Sequence, residues 1–327
     1  MKFQNKKILV TGGLGFIGYH VCKLFLDKGH TVYSIDNINN YYPAKFKIER
    51  LKVLMNYKKF KNYKFDISIK KNFNLINNID FSIIIHLAAQ AGVRDSDKNR
   101  DKFINYNIRG FGNILDIIKK RKISRFIYAS SSSVYGDVKN FPTKEKDFNF
   151  KPISFYGLTK CINESQAEQF YNQNNINTFG LRFFTVYGEH PRPDMAIYKI
   201  FDCIYNNKLF TLFNHGSNYR DFTNVENIKN CIYKLSKINI QKKQHQIFNI
   251  GSTSPIQINK LILLIEKITK RKLNIKQLGY NPEDVAISHS SNIKIIKFLG
   301  IKKFVKIEEG LVMLNKWFVK NNSIKNK

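Results

Sequence analysis

Apolar residues in the first half of the chain come in short runs. Each run is followed by a stretch of helical length in which apolar and polar positions interleave. Ile8, Leu9 and Val10 make the first run, which reads as a central parallel strand buried on both faces. An amphipathic stretch then runs to Lys28. Thr31 to Ile35 reads as a second strand, a helix follows near Pro43 to Tyr57, and a third short strand ends at Asp66 and Ile67. Phe81 to His86 is the fourth strand, a long helix occupies about Arg100 to Lys120, and Arg125 to Ala129 is the fifth. Strands and helices alternating at this rhythm predict an α/β chain with a doubly wound parallel sheet. From about Glu189 the pattern loosens, although Gln246 to Gly251 reads as one more strand returning to the main sheet. Asn321 to Lys327 reads as a disordered tail.

The turn after the first strand carries Gly12, Gly15 and Gly18 at spacings of three. A glycine at the first position allows a tight turn, one at the second lets backbone approach a pyrophosphate, and one at the third lets the helix pack closely. The N–H groups at the helix start then hold the phosphates. Asp36 closes the second strand, 18 residues after Gly18, where an acid accepts both hydroxyls of an adenosine ribose and repels a 2′-phosphate. No arginine follows immediately, which favours NAD over NADP. Asp66 is placed to meet the adenine amino group, and the small residues after His86, Ala88 among them, let backbone lie against the cofactor. Residues 1–188 are therefore expected to be a Rossmann-like NAD-binding domain, joined by the returning strand near 246–251. Residues 189–327 are expected to form a smaller, interleaved α/β lobe for the substrate.

Composition changes this picture little. The formal charge of +31, from 55 basic against 24 acidic residues, invites a polyanion partner. The basic residues are 45 Lys and 10 Arg, spread over the whole length with no arginine stripe. Asn, Ile, Phe and Tyr are abundant too, and a drift toward AT-rich codons accounts for all of these together. No nucleic-acid partner is expected. Cys22, Cys161, Cys203 and Cys231 lie far apart with no C-x-x-C pair, which fits reduced thiols in a cytoplasm and argues against a disulfide framework or a zinc site. The seven histidines show no metal-ligand spacing, no run approaches membrane-span length, and no signal peptide precedes the first strand. The reading is a cytoplasmic protein with no metal and no membrane partner.

The chemistry concentrates at Tyr156 and Lys160, a Tyr-x-x-x-Lys pair at helical i,i+4 spacing. A cation on the same helix face favours the phenolate and so makes the tyrosine a general base near neutral pH. Many such pairs are surface contacts. This one follows Ser131 by 25 residues, directly after the fifth strand, where a hydroxyl can share the substrate proton with the tyrosine.

These residues complete a set: G-x-x-G-x-x-G, H-L-A-A-Q-A-G-V-R, Y-A-S-S-S-S-V-Y-G, Y-x-x-x-K and L-R-F-F-T-V-Y-G. The chain resembles the nucleotide-sugar epimerases of the extended short-chain dehydrogenase/reductase superfamily over nearly its whole length. R-D-F at Arg220 to Phe222 and P-E-D at Pro282 to Asp284 continue the match. R-P-D-M-A at Arg192 to Ala196 most resembles UDP-glucuronate 4-epimerases. The resemblance implies Ser131, Tyr156 and Lys160 as the catalytic triad. It places Gly12, Gly15, Phe16, Ile17, Gly18, Asp36, Asp66, Ile67, Ala88 and Asn107 around NAD, with Tyr156 and Lys160 beside its nicotinamide ribose. Ser131, Ser132, Ser133, Thr185, Arg192, Arg220 and Asp284 would meet the UDP-sugar, Arg220 on the diphosphate. Glu283 departs from the family pattern, which usually has glycine there, as does Asn281, where relatives carry a longer side chain.

Related dehydratases need an Asp-Glu pair before Val-Tyr-Gly, and related decarboxylases a glutamate. Ser132 and Ser133 stand there instead, so only epimerisation is equipped. The implied reaction moves hydride from sugar C4 to NAD while Tyr156 takes the 4-hydroxyl proton, then returns hydride to the other face of the 4-keto sugar. With a uronate that intermediate is a β-keto acid, whose carboxylate Arg192, Thr185 and the serine hydroxyls would clamp. UDP-glucuronate is the expected substrate, and neutral UDP-glucose or UDP-galactose is the alternative. From another class, the rival is a silent NAD-sensing or nucleic-acid-binding relative, which has no need of the complete triad. A homodimer through the helices at 100–120 and 156–171 is implied by the resemblance. His86 is expected to be packed rather than catalytic, and Arg94 has no assigned role.

Overall fold

The computed structural model describes residues 3–121, 123–279 and 285–325. In chain order the first elements are β1 (Lys7–Thr11), α1 (Phe16–Asp27), β2 (Thr31–Ile35), α2 (Lys45–Met55), β3 (Phe60–Tyr63) and β4 (Ile83–His86). They are followed by α3 (Arg100–Phe103), a π-helical turn at Ile104–Arg109, α4 (Gly110–Lys120), β5 (Arg125–Ser131), α5 (Phe155–Asn174) and β6 (Asn177–Phe183). Then come β7 (Thr185–Tyr187), α6 (Ala196–Tyr205), β8 (Phe210–Leu212), β9 (Tyr219–Arg220), β10 (Phe222–Asn224), α7 (Val225–Lys237) and β11 (His245–Ile250). The last are β12 (Ile256–Gln257), α8 (Ile258–Thr269), β13 (Ile275–Gln277), α9 (Ile293–Leu299) and α10 (Ile307–Lys325).

The main sheet has seven strands in the order β11-β6-β5-β4-β1-β2-β3, and β1 through β6 pair in parallel. Strand order reverses on either side of β1, so ligand-binding loops fall at the carboxyl ends of β1 and β4. Every residue of β4 and β6 is buried, as strands covered by helices on both faces must be. Leu9, Ile84, Phe126 and Tyr128 from the sheet pack with Phe111, Ile114 and Ile118 of α4 in one apolar core.

The chain divides into two compact units. The first comprises residues 1–139, 145–183 and 229–249, and the second 140–144, 184–228 and 250–327. The boundary falls at Phe183 because β6 is the last strand the sheet takes before β11, while β7 pairs with β10 in the second unit. The second unit also pairs β9 with β12 and β8 with β13. Its own core joins Phe201, Leu261, Ile265, Leu311 and Phe318.

Four elements differ from the pattern-based expectation. Asn321 to Lys325, expected in a disordered tail, is the last turn of α10, a helix anchored one turn earlier by Leu314 and Phe318 in the second core. The third strand stops at Tyr63, and Asp66 and Ile67 lie in the loop beyond it. Asp66 Oδ1 accepts both the N–H and the O–H of Ser68, an Asx turn that ends the extended run. The helix expected over about 100–120 contains the π turn. The fifth strand runs on through Ser130 and Ser131, because β6 pairs with it to that point.

Candidate active site

The residues expected to hold the cofactor gather at the carboxyl ends of β1, β2 and β4. Gly12 has φ +70°, and a Cβ there would stand 2.8 Å from the Ala88 nitrogen. The turn out of β1 therefore lies directly against the backbone that follows β4. Thr11 Oγ ties the two together, accepting the Ala88 N–H at 3.2 Å and meeting His86 Nδ1 at 2.7 Å. His86 is buried against Phe111 and Phe126, and burial, with Lys160 nearby, pushes its pKa down to about 3.

Gly15 is the N-cap of α1 and offers no side-chain cap, while Phe16, Ile17 and Gly18 form the first turn with no acidic residue among them. Their N–H groups thus keep the positive end of the helix for an anion. Asp36, buried at the end of β2, accepts the Leu14 N–H on Oδ2 and the Ile38 N–H on Oδ1. Lys47 Nζ, also buried, sits 3.0 Å from Oδ1. Arg50, almost wholly buried, donates to the Leu14 carbonyl and the Tyr42 hydroxyl and so props the glycine turn from below. Neither Lys47 nor Arg50 was legible in the sequence, because only the packing of α2 brings them to the turn.

Asp66 and Ile67 flank the same region. Asn113 Nδ2 donates to the Ile67 carbonyl, and Asp66 helps hold the Tyr106 hydroxyl above its ordinary pKa, second to burial. Asn107 lies on the π turn, where such turns commonly mark functional sites. Its side chain accepts the Gln90 N–H at 2.7 Å and donates to the Gln90 carbonyl and to Thr159 Oγ. That makes it a strut between the loop after β4 and α5. A dinucleotide fits this set: a close-approach turn, an uncapped helix start and an acid at the ribose position.

The residues expected to be catalytic lie in the same unit. Ser131 ends β5 and N-caps a short 3-10 turn, Ser132–Tyr135, by accepting the Ser133 N–H at 3.1 Å. Its hydroxyl also lies 3.1 Å from Ser133 Oγ. Ser154 caps α5 by accepting the Gly157 N–H, which sets Tyr156 in the first turn. Lys160 stands one turn on, its Nζ 5.9 Å from the Tyr156 ring centroid, and donates to the Ala129 carbonyl at 3.1 Å. The lysine is fully enclosed, and burial draws its pKa down to about 8 against the opposing pull of Glu164.

The predicted substrate residues fall in two places. Ser131, Ser132 and Ser133 are in the first unit. Thr185, Arg192 and Arg220 are in the second, and Asp284 lies outside the described residues. Thr185 opens β7 beside Phe222. Arg192 makes a two-pronged ion pair with Asp194, whose carboxyl it pulls below its ordinary pKa although burial pushes the other way. Arg220 Nη1 donates to the Tyr219 carbonyl at 2.8 Å. Its neighbour Asp221 is fully buried and accepts from Ser252, Thr253 and Ser290. Arg94 is exposed. Among the described residues no group of side chains could hold a metal ion, and no helix is long and apolar enough to cross a membrane.

A doubly wound sheet with this glycine turn, and a Tyr-x-x-x-Lys helix packed beside a serine turn, defines an enzyme of the short-chain dehydrogenase/reductase class. More narrowly, the chain belongs to the NAD dependent epimerase/dehydratase family, whose sequence profile matches residues 8–251, and NAD is its cofactor. It is 35% identical over 332 residues to UDP-glucuronate 4-epimerase 3 of Arabidopsis thaliana, covering 95% of this chain and 76% of that one. The UDP-glucuronic acid 4-epimerase of Bacillus cereus, solved with UDP-glucuronic acid and NAD, superposes with a TM-score of 0.89 at 29% identity, over 96% of this chain and 99% of that one. A UDP-glucose 4-epimerase of Thermotoga maritima, solved with UDP-glucose, gives 0.88 at 27% identity, over 97% and 99%.

Proposed function

We propose that this enzyme is a UDP-glucuronate 4-epimerase and that Ser131, Tyr156 and Lys160 are its catalytic residues. The observation that carries the reading is the composition of the serine turn beside α5. Tyr156 and Lys160 share one helix face, and positions 132 and 133 offer hydroxyls where elimination or decarboxylation would need a carboxylate. Tyr156, as phenolate, takes the proton of the sugar 4-hydroxyl and later returns it. Ser131 shares that proton, and the Lys160 ammonium stabilises the phenolate. NAD supplies the acceptor that removes a hydride from the sugar and gives it back. Gly12, the first turn of α1, Asp36, Asp66, Ile67 and Ala88 hold the dinucleotide in this reading, with Asn107 bracing its wall. Arg192 and Thr185 take the uronate carboxylate, and Arg220 the diphosphate.

A second reading has its own observation. Arg192 already has a carboxylate partner in Asp194, which suits an enzyme for neutral UDP-glucose or UDP-galactose. The likeness to enzymes of both substrate types keeps the test simple. Purified protein is mixed with UDP-glucuronate, without added NAD, and the sugar is followed by proton NMR. UDP-galacturonate without pentose supports the uronate reading. A pentose product overturns the clamp, and turnover of UDP-glucose alone selects the second reading. The same proposal takes the enzyme to be a cytoplasmic homodimer, supported by its four free cysteines and its family, and size-exclusion chromatography with light scattering tests the dimer.

A further inference from the structure

Below Lys160 on the same face of α5 lies a second charge that the reaction does not use directly. Glu164 is 4% exposed, and both of its carboxylate oxygens are engaged. Oε1 accepts the Ser130 hydroxyl at 2.5 Å and Arg182 Nε at 2.8 Å, while Oε2 accepts Arg182 Nη2 at 2.7 Å. Arg182 comes from β6, 2% exposed, and its guanidinium lies 4.7 Å from the ring centroids of both Tyr135 and Phe148. It also donates to the Tyr135 hydroxyl and the Glu145 carbonyl, so neither partner can swing away.

A buried ion pair of this kind is a poor device for stability, since well-packed apolar residues of similar size do as well or better. Its position says more. The carboxyl end of β5 is stitched to α5 at two successive residues: Ala129 through Lys160, and Ser130 through Glu164. The next residue is Ser131. Lys160 has one helical turn to Tyr156 in one direction and one to Glu164 in the other.

We infer that Glu164 is a positioning residue of the reaction: a fixed buried carboxylate that keeps the Lys160 ammonium charged and the end of β5 in register with α5. Lys160 has lost nearly all its water, and that desolvation is the main cause of its lowered pKa. Glu164 opposes that loss. The other groups facing this corner are His86 from β4, Tyr128 from β5, Tyr135 from the serine turn, Cys161 and Glu168 from α5, Arg182 from β6, and Glu145. Burial holds His86 neutral down to about pH 3, raises Tyr128 and pushes Tyr135 and Cys161 up to about 12. His86, Tyr128, Tyr135 and Cys161 do not change charge between pH 5 and 10, which leaves Lys160, Tyr156, the carboxyl groups of Glu145 and Glu168, and the Glu164–Arg182 pair. The inference rests on the catalytic reading of Lys160 given above.

The test reads the lysine itself. In NAD-loaded protein carrying 13Cε-lysine, the Lys160 signal, assigned through Lys160→Arg, titrates near its midpoint of about 8. In Glu164→Gln the midpoint falls by about one pH unit, and in Glu164→Asp it returns toward wild type. The double variant Glu164→Gln with Arg182→Met avoids an unpaired buried cation and also shows a lowered midpoint, should the single variant not fold. The alkaline limb of kcat moves with the NMR midpoint, so Glu164→Gln loses about tenfold at pH 8.5 and within about twofold at pH 6.5. An unmoved midpoint with a uniform loss of activity at every pH assigns Glu164 to the scaffold alone and overturns the inference. Absence of wild-type turnover on any UDP-sugar would strike the catalytic reading and leave the NMR result standing.

Discussion

Gly157 and Ser133 are in direct contact through the backbone: a Cβ on Gly157 would lie 2.6 Å from the Ser133 carbonyl oxygen. The first turn of α5 is therefore pressed against the serine turn, and Tyr156 is held where it is by the residue that follows it. Gly157→Ala must push α5 off that carbonyl. An ångström of displacement at a reacting group can cost about a hundredfold, so kcat is expected to fall by about that factor with NAD still bound. Steady-state kinetics beside cofactor content, read by absorbance after acid release, checks both halves.

Tyr156→Phe removes one oxygen and leaves the ring contact with Phe103 in place. Turnover should drop by about a thousandfold or more, the range of a general acid–base group, while NAD stays bound. Residual activity within tenfold of wild type would remove Tyr156 from its role.

Lys160 carries a stability signature with a definite sign. Its folded pKa is depressed to about 8 from 10.5, first by burial. Below pH 8 both folded and unfolded chains hold the proton, and the burial penalty, about 3 kcal/mol, is fully present. Between about 8 and 10.5 the folded protein releases the proton first and the penalty fades. Lys160→Met is therefore expected to melt above wild type at pH 7, with an advantage that shrinks toward pH 10, and to be inactive. Thermal unfolding at three pH values decides it.

In the second unit, Asp221 is a single point of failure. It is wholly buried and holds the N–H groups of Ser252, Thr253 and Ser290 together with the Ser290 hydroxyl. Asp221→Ala orphans four donors and should destabilise by about 3 kcal/mol or more. Equilibrium urea unfolding gives the value.

Much of this was visible in the residues alone, and what was hidden has a common cause. The apolar run at Ile8 to Val10 and the Tyr156–Lys160 spacing each encode a local geometry, so they can be read one segment at a time. Strand ends were less legible: Asp66 looked terminal until its turn with Ser68 showed that extension had stopped three residues earlier. Ser130 and Ser131 read as loop because small polar residues favour turns, yet pairing with β6 keeps them extended. Lys47 beside Asp36 and Arg182 beside Glu164 were invisible in kind, being contacts between separate elements. Glu164 alone left a trace, eight residues after Tyr156 on the helix face already singled out.

The return of β11 to the edge of the main sheet has a consequence for how the protein comes into being. The chain leaves the first unit at Phe183, lays down 184–228 in the second, and only then comes back for 229–249. On the ribosome, about three quarters of the chain must be made before the seventh strand exists. Until then the nascent sheet exposes β6 as an open edge, and that unpaired strand is where a chaperone, or a misfolded neighbour, would first take hold.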